Sequence, residues 1–306
     1  MNELIVGVDA GGTRTRAALA NARGETLGTG DAGSGNPHQN GNEAARAEIL
    51  TAITHAFDAA RIDRQIVAAA CLGIAGIDRQ DERNEWTAWA RKEITPRAKT
   101  VNDGELVLAA GSAENWGVAV VAGTGSIAWG ISRDGRAERA GGWGHSIGDE
   151  GSAYDLARQA LRAASQYADG RGEKTELLGA ILAHWQLNSP QELIRVVYRS
   201  GKKPADLAEL AAVAVQCAEA GDPIAQSLIG SGGAELASMI YVVAHALGFE
   251  NEKFPLALTG GLVLGAEIVR VYLLRAADAR GLKFSSVALV NEPLKGAVRM
   301  AGEMLK

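Results

Sequence analysis

The stretch LIVGVDAGGTRTRAAL, residues Leu4 to Leu19, carries a strong structural signal. An apolar run ends in Asp9, and Gly11, Gly12 and Thr13 form a turn before a second alternating segment begins. A strand that turns through glycines into another strand predicts a β-hairpin. Glycine has no Cβ, so the N–H groups of such a turn can converge on an anion.

The same pattern returns at GVAVVAGTGSIAWGI, residues 117–131. Set over one another, VDAGGTRTRAAL and VVAGTGSIAWGI share valine, alanine and glycine positions before the turn. We interpret the chain as two structurally similar halves, each opening with the same hairpin. A third glycine turn follows the apolar run FPLALT. The candidate phosphate-binding residues of the second and third turns are Gly123, Thr124, Gly125, Ser126, Gly260 and Gly261.

Between these turns, β-rich segments alternate with amphipathic ones. The pattern predicts a helix over 42–60, a buried strand over 66–73 and a helix over 80–94. Residues 149–248 are predicted to be almost entirely helical. Alternation of this kind predicts an α/β fold with a largely covered sheet.

Composition narrows the class of protein. The chain has 306 residues, 47% of them hydrophobic, which suits two domains or one large domain. A net charge of −5 without a basic run argues against a nucleic-acid partner or an anionic membrane. The two cysteines, Cys71 and Cys217, lie in apolar segments and are expected to be reduced core residues. We therefore expect a cytoplasmic setting.

Other phosphate-binding loops fit less well. No G-x-x-x-x-G-K-[ST] motif of a P-loop occurs. A Rossmann loop is followed by a helix, whereas DAGGTR is followed by a predicted strand. A carboxylate at Asp9 can hold Mg²⁺ against nucleotide phosphates, although capping of the turn is the alternative. Val121 stands at the matching position of the second hairpin, which indicates a single metal site.

Three further segments hold candidate site residues. Asp103 in VNDGE can act as a general base or take part in a helix N-cap, and the spacing favours neither. In GGWGHSIGDEGSAYDLARQ, Trp143 can pack on a sugar face, while Asp149 either accepts from sugar hydroxyls or starts a helix with Ser152. Asn36, in the loop GSGNPHQNG, can bind hydroxyls or belong to an ordinary surface loop.

Taken together, these motifs resemble a known family along the whole chain. The chain resembles the N-acetylglucosamine kinase-like group of the BadF/BadG-type ATPases, within the actin, hexokinase and heat-shock chaperone superfamily. The motifs that carry the resemblance are GVDAGGTRTRAAL, CLGIAGIDRQ, VNDGE, VVAGTGSIAWG, GGWGHSIGDEGSAYDLA and LALTGGL.

The resemblance implies two actin-like ATPase (ribonuclease H-like) domains with a cleft that closes around ATP and substrate. The first domain is expected over residues 1–115 and the second, with a helical insertion, over 116–292. A closing helix at about 293–306 is expected to pack back on the first domain. Many members of the group are homodimers, so a homodimer is expected here too.

The resemblance also implies roles for individual residues. Asp103 is the base that deprotonates the sugar 6-hydroxyl, and Asp9 helps to position Mg²⁺. The first two glycine turns cradle the phosphates of ATP, and Gly260 and Gly261 lie against adenosine. The residues that match the amino-sugar positions are Asn36, Trp143, Gly144 and Asp149.

One departure from the family bears on the substrate. Vertebrate-type enzymes follow GTGS with an asparagine that touches the sugar, whereas Ile127 stands there in this chain. We favour N-acetylglucosamine, with glucosamine and N-acetylmuramic acid as alternatives. A non-catalytic sensor of ATP and sugar is the alternative from another class. An iron–sulfur activator is disfavoured, because Cys71 and Cys217 offer no clustered thiolates.

Overall fold

The computed structural model describes residues 3–77, 79–199 and 201–306, which form ten strands and thirteen helices. The strands are β1 (Leu4–Ala10), β2 (Thr15–Asn21), β3 (Thr26–Ala32), β4 (Ala69–Ile74), β5 (Ala98–Asn102), β6 (Gly117–Ala122), β7 (Ser126–Ile131), β8 (Ala137–Gly141), β9 (Phe254–Thr259) and β10 (Phe284–Leu289). The helices are α1 (Pro37–Asn40), α2 (Asn42–Ala60), α3 (Gln80–Glu93), α4 (Asp103–Gly111), α5 (Ala153–Ala168), α6 (Leu177–His184), α7 (Glu192–Arg199), α8 (Pro204–Ala208), α9 (Leu210–Glu219), α10 (Pro223–Leu247), α11 (Gly261–Gly265), α12 (Glu267–Ala279) and α13 (Pro293–Glu303).

The chain divides into two compact units. Unit 1 comprises residues 1–116 and 292–306, and unit 2 comprises residues 117–291. Unit 1 holds a sheet of strand order β3-β2-β1-β4-β5, and unit 2 holds one of order β10-β9-β6-β7-β8. In both, the first strand is antiparallel to its hairpin partner and parallel to the strand on its other side. The prediction of an α/β chain with two similar halves is confirmed.

Helix α2 follows the predicted pattern. Its bounds match the predicted range, and the predicted apolar face is wholly buried; that face consists of Ala45, Ile49, Ala52, Ile53 and Ala56. The predicted strand over 66–73 starts late, however, at Ala69. Ile66 is 78% exposed, and the parallel pairing with β1 begins only at Ile5 and Ala69. The apolar run is therefore longer than the part of it that the sheet covers.

The last helix, α13, packs on β1 and α4 of unit 1. The approach is close, because a Cβ at Gly7 would lie 2.6 Å from the Val298 nitrogen, and one at Gly296 would overlap the Leu106 carbonyl. Glycine at both positions lets the helix backbone lie directly against the sheet and its neighbour.

Unit 2 carries a helical insertion, α5 to α10, with its own apolar core around Leu156, Leu210 and Ala214. Helix α10 is long and apolar enough to cross a membrane by length and composition, with 44% of its most apolar window buried. These two criteria are weak support for a membrane span, because core helices meet them too. In this structure α10 packs against β7, β8 and α12.

Candidate functional site

The first glycine turn connects β1 and β2 in unit 1. The Gly11 carbonyl accepts a hydrogen bond from the Gly35 N–H at 3.1 Å. The Gly11 C=O and the Gly12 N–H belong to the same trans peptide and point in opposite directions. Because the C=O faces the Gly35 loop, the N–H points away from it. Among the described residues, no acceptor is found for the Gly12 and Thr13 amides. The turn therefore presents two backbone donors for an anion.

Asp9 lies one residue before the end of β1 and is half-buried. Burial raises the pKa of its carboxyl from 3.8 to about 6, while the charges of Arg16 and Arg14 lower it. That opposing effect is incomplete, since the Nε of each arginine lies 3.6 Å from a carboxylate oxygen of Asp31. No hydrogen bond to the Asp9 carboxylate is found within the described parts of the chain.

This environment fits a hydrated Mg²⁺. A carboxylate that burial deprives of donors gains most from a cation, and Mg²⁺ is commonly held by one or two carboxylates plus substrate phosphates and waters. In the described residues, no group of three or more His, Cys, Asp and Glu side chains forms a complete metal cage. An ion held at Asp9 would therefore need phosphates and waters among its ligands.

Asp103 is the first residue of α4, directly after β5. The capping residue of this helix is Asn102, whose side chain accepts from the Gly104 N–H at 2.8 Å. Glu105 completes the capping box by accepting from the Asn102 N–H at 3.4 Å. Asp103 Oδ1 also accepts from the Gly104 N–H, at 3.0 Å. Asn102 and Glu105 thus form the capping box, and Asp103 shares the Gly104 N–H with Asn102.

Asn36 lies in the loop that contacts the first glycine turn. Its side-chain oxygen caps α1 by accepting from the His38 N–H at 2.8 Å. His38 Nε2 in turn lies 2.8 Å from the Gly76 carbonyl oxygen, which ties this loop to the segment after β4. The Asn36 carbonyl thus has a structural role, and its NH₂ group is the part that can serve a ligand.

The second glycine turn connects β6 and β7 in unit 2. The first N–H groups of α5 donate to it: Ala153 to the Gly123 carbonyl at 2.8 Å and Tyr154 to the Thr124 carbonyl at 3.4 Å. Because both carbonyls face α5, the N–H groups of Thr124 and Gly125 point away from that helix. Among the described residues, no acceptor is found for these two amides. Two consecutive donors aimed in one direction suit a phosphate.

Asp149 packs against this turn. It is buried, has a left-handed backbone (φ 62°), and its Oδ1 accepts from the Ser126 N–H at 3.4 Å. Burial raises the pKa of its carboxyl, while hydrogen bonds from the Ser126 and Gly144 amides lower it. Ser152, not Asp149, caps α5, since its side chain accepts from the Asp155 N–H. Asp149 is therefore not needed to begin that helix.

Trp143 is 64% exposed in the glycine-rich segment after β8. The Arg139 guanidinium lies 5.0 Å from the centroid of its ring and donates to the Gly141 carbonyl at 3.0 Å. Gly144 beside it is left-handed (φ 82°), and no described atom outside its chain neighbours lies within 4 Å of the position that a Cβ would take there. Trp143 thus has one face on Arg139 and a large apolar area open to a ligand.

The second and third glycine turns meet within unit 2. A Cβ at Gly123 would lie 3.8 Å from both the Gly260 Cα and the Gly261 nitrogen. Beside them is a cavity of about 540 Å³, bounded by Gly123 and Thr124, the start of α5, the α8–α9 segment and α11. The contribution of α8 and α9 was not predicted, since both lie in the segment 149–248, for which the sequence predicts helices but no ligand site.

The structure thus groups the candidates within each unit. In unit 1, Asp9, the first turn and the Asn36 loop adjoin, and Asp103 follows β5 of the same sheet. In unit 2, the second turn, Asp149 and the third turn adjoin. Both cysteines are buried and free, and burial raises the pKa of Cys71 to about 12.

Residues 6–285 match the BadF/BadG/BcrA/BcrD ATPase family. The chain belongs to this family. It is 30% identical over 298 residues to an N-acetylmuramic acid/N-acetylglucosamine kinase of Clostridium acetobutylicum, covering 97% of each chain. It is also 30% identical to an N-acetyl-D-glucosamine kinase of Dictyostelium discoideum, covering 85% of each.

A solved structure from Chromobacterium violaceum, provisionally named an N-acetylglucosamine kinase, is similar to the whole chain. Its TM-score is 0.77 at 26% identity, covering 100% of this chain and 99% of the other. The fold of this family member is that of two actin-like ATPase domains, as the sequence motifs implied.

Proposed function

We propose that this family member is an ATP-dependent amino-sugar kinase that phosphorylates the 6-hydroxyl of N-acetylglucosamine. The observation that carries the proposal is the pair of glycine turns whose amides are oriented by hydrogen bonds on their carbonyl side. Each turn lies at the end of an apolar strand and offers consecutive backbone donors, an arrangement that suits a phosphate group. The kinase names of the two 30%-identical relatives support the same class of reaction.

In this proposal Asp103 takes the proton from the sugar 6-hydroxyl. The sugar oxygen bonds to the γ-phosphorus of ATP, and the bond from the γ-phosphorus to the bridging β-phosphate oxygen breaks. The products are the sugar phosphate and ADP. The amides of Gly12, Thr13, Thr124 and Gly125 bind the phosphates and stabilise their charge. Mg²⁺, when bound, neutralises charge on the phosphates, and Asp9 would hold it.

The sugar-binding assignment rests on the match of residues to the family. Trp143 offers its exposed indole to the C–H edges of a sugar, and Asp149 accepts from hydroxyls. Asn36 has its NH₂ group available while its oxygen caps α1. At Gly144, no described residue other than its chain neighbours lies within 4 Å of the position of a Cβ.

Ile127 bears on which amino sugar is bound. Ile127 lies beside Gly142, 2.8 Å from the position of a Cβ there, and cannot replace the hydrogen bonds of an asparagine amide. Glucosamine and N-acetylmuramic acid are the alternative substrates, and the name of the Clostridium relative includes the second. A homodimer and a cytoplasmic setting complete the proposal.

The test is ATP consumption with Mg²⁺ against glucosamine, N-acetylglucosamine, N-acetylmuramic acid, N-acetylmannosamine and glucose. Turnover with N-acetylglucosamine well above the other sugars, with phosphate on the 6-oxygen by NMR, is the expected result. Turnover chiefly with another amino sugar would correct the substrate. Nucleotide binding without turnover on any sugar would replace the kinase by a sensor of ATP and sugar.

A further inference from the structure

The side chain of Gln39 lies against the first glycine turn of unit 1. Its amide nitrogen lies 2.7 Å from the position that a Cβ would take on Gly12, and its amide carbon and oxygen lie 3.3 Å from that position. The amide group is therefore beside the Gly12 α-carbon, one bond from the Gly12 N–H. Glycine at this position makes room for the amide, because any larger residue would place its Cβ against it.

A hydrogen bond from Ser34 orients this amide. The Ser34 hydroxyl donates to Gln39 Oε1 at 3.3 Å. The other acceptor near that hydroxyl, the Gly11 carbonyl, is farther away at 3.5 Å and already accepts from the Gly35 N–H. With its oxygen bound to Ser34, the Gln39 amide has its nitrogen nearest to Gly12.

The NH₂ group of Gln39 is available to a ligand. Across residues 3–77, 79–199 and 201–306, no acceptor is found for it, and the side chain is exposed. The backbone of Gln39 is held in place, since its N–H donates to the Asn36 carbonyl at 3.2 Å. The protein therefore holds a side-chain donor beside the backbone donors of Gly12 and Thr13.

Other side chains hold the loop that carries Gln39. Asn40 Nδ2 donates to the Ser34 carbonyl at 3.0 Å, and His38 Nε2 lies 2.8 Å from the Gly76 carbonyl oxygen. These contacts join the loop to itself and to the segment after β4 without the Gln39 NH₂ group. A structural role in the loop therefore does not account for that group.

We propose that Gln39 is a phosphate-binding residue that acts together with the first glycine turn. The inference rests on the proposed function, which brings a nucleotide phosphate to the amides of Gly12 and Thr13. A phosphate group has several acceptor oxygens, so the side-chain amide can bind one oxygen while the backbone amides bind another. The alternative ligand is a sugar hydroxyl, because Asn36 lies in the same loop.

The experiment measures the Kd of ATP with Mg²⁺ by calorimetry on the full chain, and thermal denaturation verifies that each variant is folded. Gln39→Ala removes the side-chain donors and should raise the Kd by roughly tenfold. Gln39→Glu keeps the size of the side chain and an acceptor for Ser34, but it places a negative charge beside the phosphate. It should therefore raise the Kd by roughly tenfold more than Gln39→Ala does. The Kd of N-acetylglucosamine, measured without nucleotide, should stay the same in both variants.

Asn40→Ala is the matched control. It removes another exposed side-chain amide of α1, one that donates to the Ser34 carbonyl, and should leave the Kd of ATP unchanged. An unchanged Kd of ATP in Gln39→Glu, or equal losses in all three variants, would overturn the assignment. A rise in the Kd of the sugar alone would assign the Gln39 amide to the sugar and would overturn it too.

The same measurements separate this inference from the proposed kinase. Weaker ATP binding in Gln39→Glu than in Gln39→Ala, without turnover of any sugar by the wild type, would support the phosphate assignment and reject the kinase. Sugar turnover with the same Kd of ATP in the wild type and both Gln39 variants would support the kinase and reject the phosphate assignment.

Discussion

The two glycine-turn hairpins occupy the same place in their sheets but carry different side chains. Asp9 pairs in register with Arg16 and Gly73, and Val121 pairs in the same way with Ile127 and Thr259. Each turn has a carbonyl held by a neighbouring segment, the Gly35 loop in unit 1 and the start of α5 in unit 2. Anion binding by amides needs only the backbone and can be present twice.

Metal and proton chemistry, in contrast, needs a specific side chain. The first hairpin has a half-buried carboxylate with a raised pKa, whereas the second has a valine at that position. In the proposed function, the two halves would share the binding of phosphate, while the proposed base and the proposed metal-binding carboxylate both lie in unit 1. Four substitutions test this division.

The largest expected effect is on catalysis. Asp103→Asn keeps the Asn102 cap of α4 and removes the proposed base from unit 1, so the sugar-dependent kcat should fall by about 10²- to 10⁴-fold. Sugar and ATP binding, measured by calorimetry, should change little. Retention of most of the activity would show that the base is another group.

The next effect is on the free energy of unfolding. It concerns the ends of the parallel strand pairs, where the two sheets differ. In unit 1 the ladder continues by pairing Ala10 with Ile74, whereas in unit 2 Gly260 (φ 105°) lies against the Ala122 backbone. Gly260→Ala places a Cβ into that backbone and should lower the free energy of unfolding by about 2–5 kcal/mol. Thermal and urea denaturation measure it.

The control for that substitution is its neighbour. Gly261 lies in a helix, and apart from its chain neighbours and that helix's backbone no described atom lies within 4 Å of an added Cβ. Gly261→Ala should therefore leave stability unchanged or raise it by up to about 1 kcal/mol. Equal losses in the two variants would contradict the close approach of Gly260 to Ala122.

A third, smaller effect concerns the charge of Asp9. Its raised pKa means that the folded state holds the proton more tightly than the unfolded state, so stability falls as pH rises from about 4 to about 6. The interval from 3.8 to about 6 corresponds, at about 1.4 kcal/mol per pH unit, to an upper limit of about 3 kcal/mol. Asp9→Asn should recover about 1–3 kcal/mol at pH 8 and little at pH 4.

Denaturation at both pH values in the absence of divalent cations measures this difference. The same variant should lose turnover at low Mg²⁺, because it lacks the carboxylate that would hold the ion. A stability gain that is independent of pH would show that the desolvated charge of Asp9 is not its cause.

The smallest effect is expected at Trp143 of unit 2, which the proposed function assigns to sugar binding. Trp143→Ala removes the exposed indole and should raise the sugar KM by roughly tenfold, with the KM for ATP unchanged. Tyr198→Ala, which removes an aromatic side chain that is 81% exposed on α7, is the control and should change neither value. A rise in both KM values would mean that Trp143 stabilises the fold around the second glycine turn and does not bind the sugar.

Much of the fold could be predicted from the sequence because local patterns and tertiary packing agree. The apolar face of α2 and the two strand–glycine–strand hairpins are periodic over many residues, and each such period matches one buried surface. The limits of β4 could not be predicted, because Val67 and Ile66 look alike in sequence while only the first is buried. Pairing with a distant strand sets that limit.

The candidate site follows the same division. Asp9, Asp103 and the glycine turns stand out in sequence because carboxylates and glycines at strand ends are chemically distinctive. Gln216 and Glu219 of α9 do not stand out, because exposed polar residues occur on nearly every helix. Only the packing of α9 against α5 makes them part of the cavity lining.

The sequence alone determined the class of fold, the duplication of the hairpin and the candidate residues for phosphate binding, because these depend on residue type and short-range spacing. The tertiary structure decided which donors are available and which charges are costly. Hydrogen bonds from Gly35 and Ala153 orient the turns. Asn102 caps the helix that begins at Asp103, and burial raises the pKa of Asp9. These effects depend on neighbours distant in sequence, which no local pattern specifies.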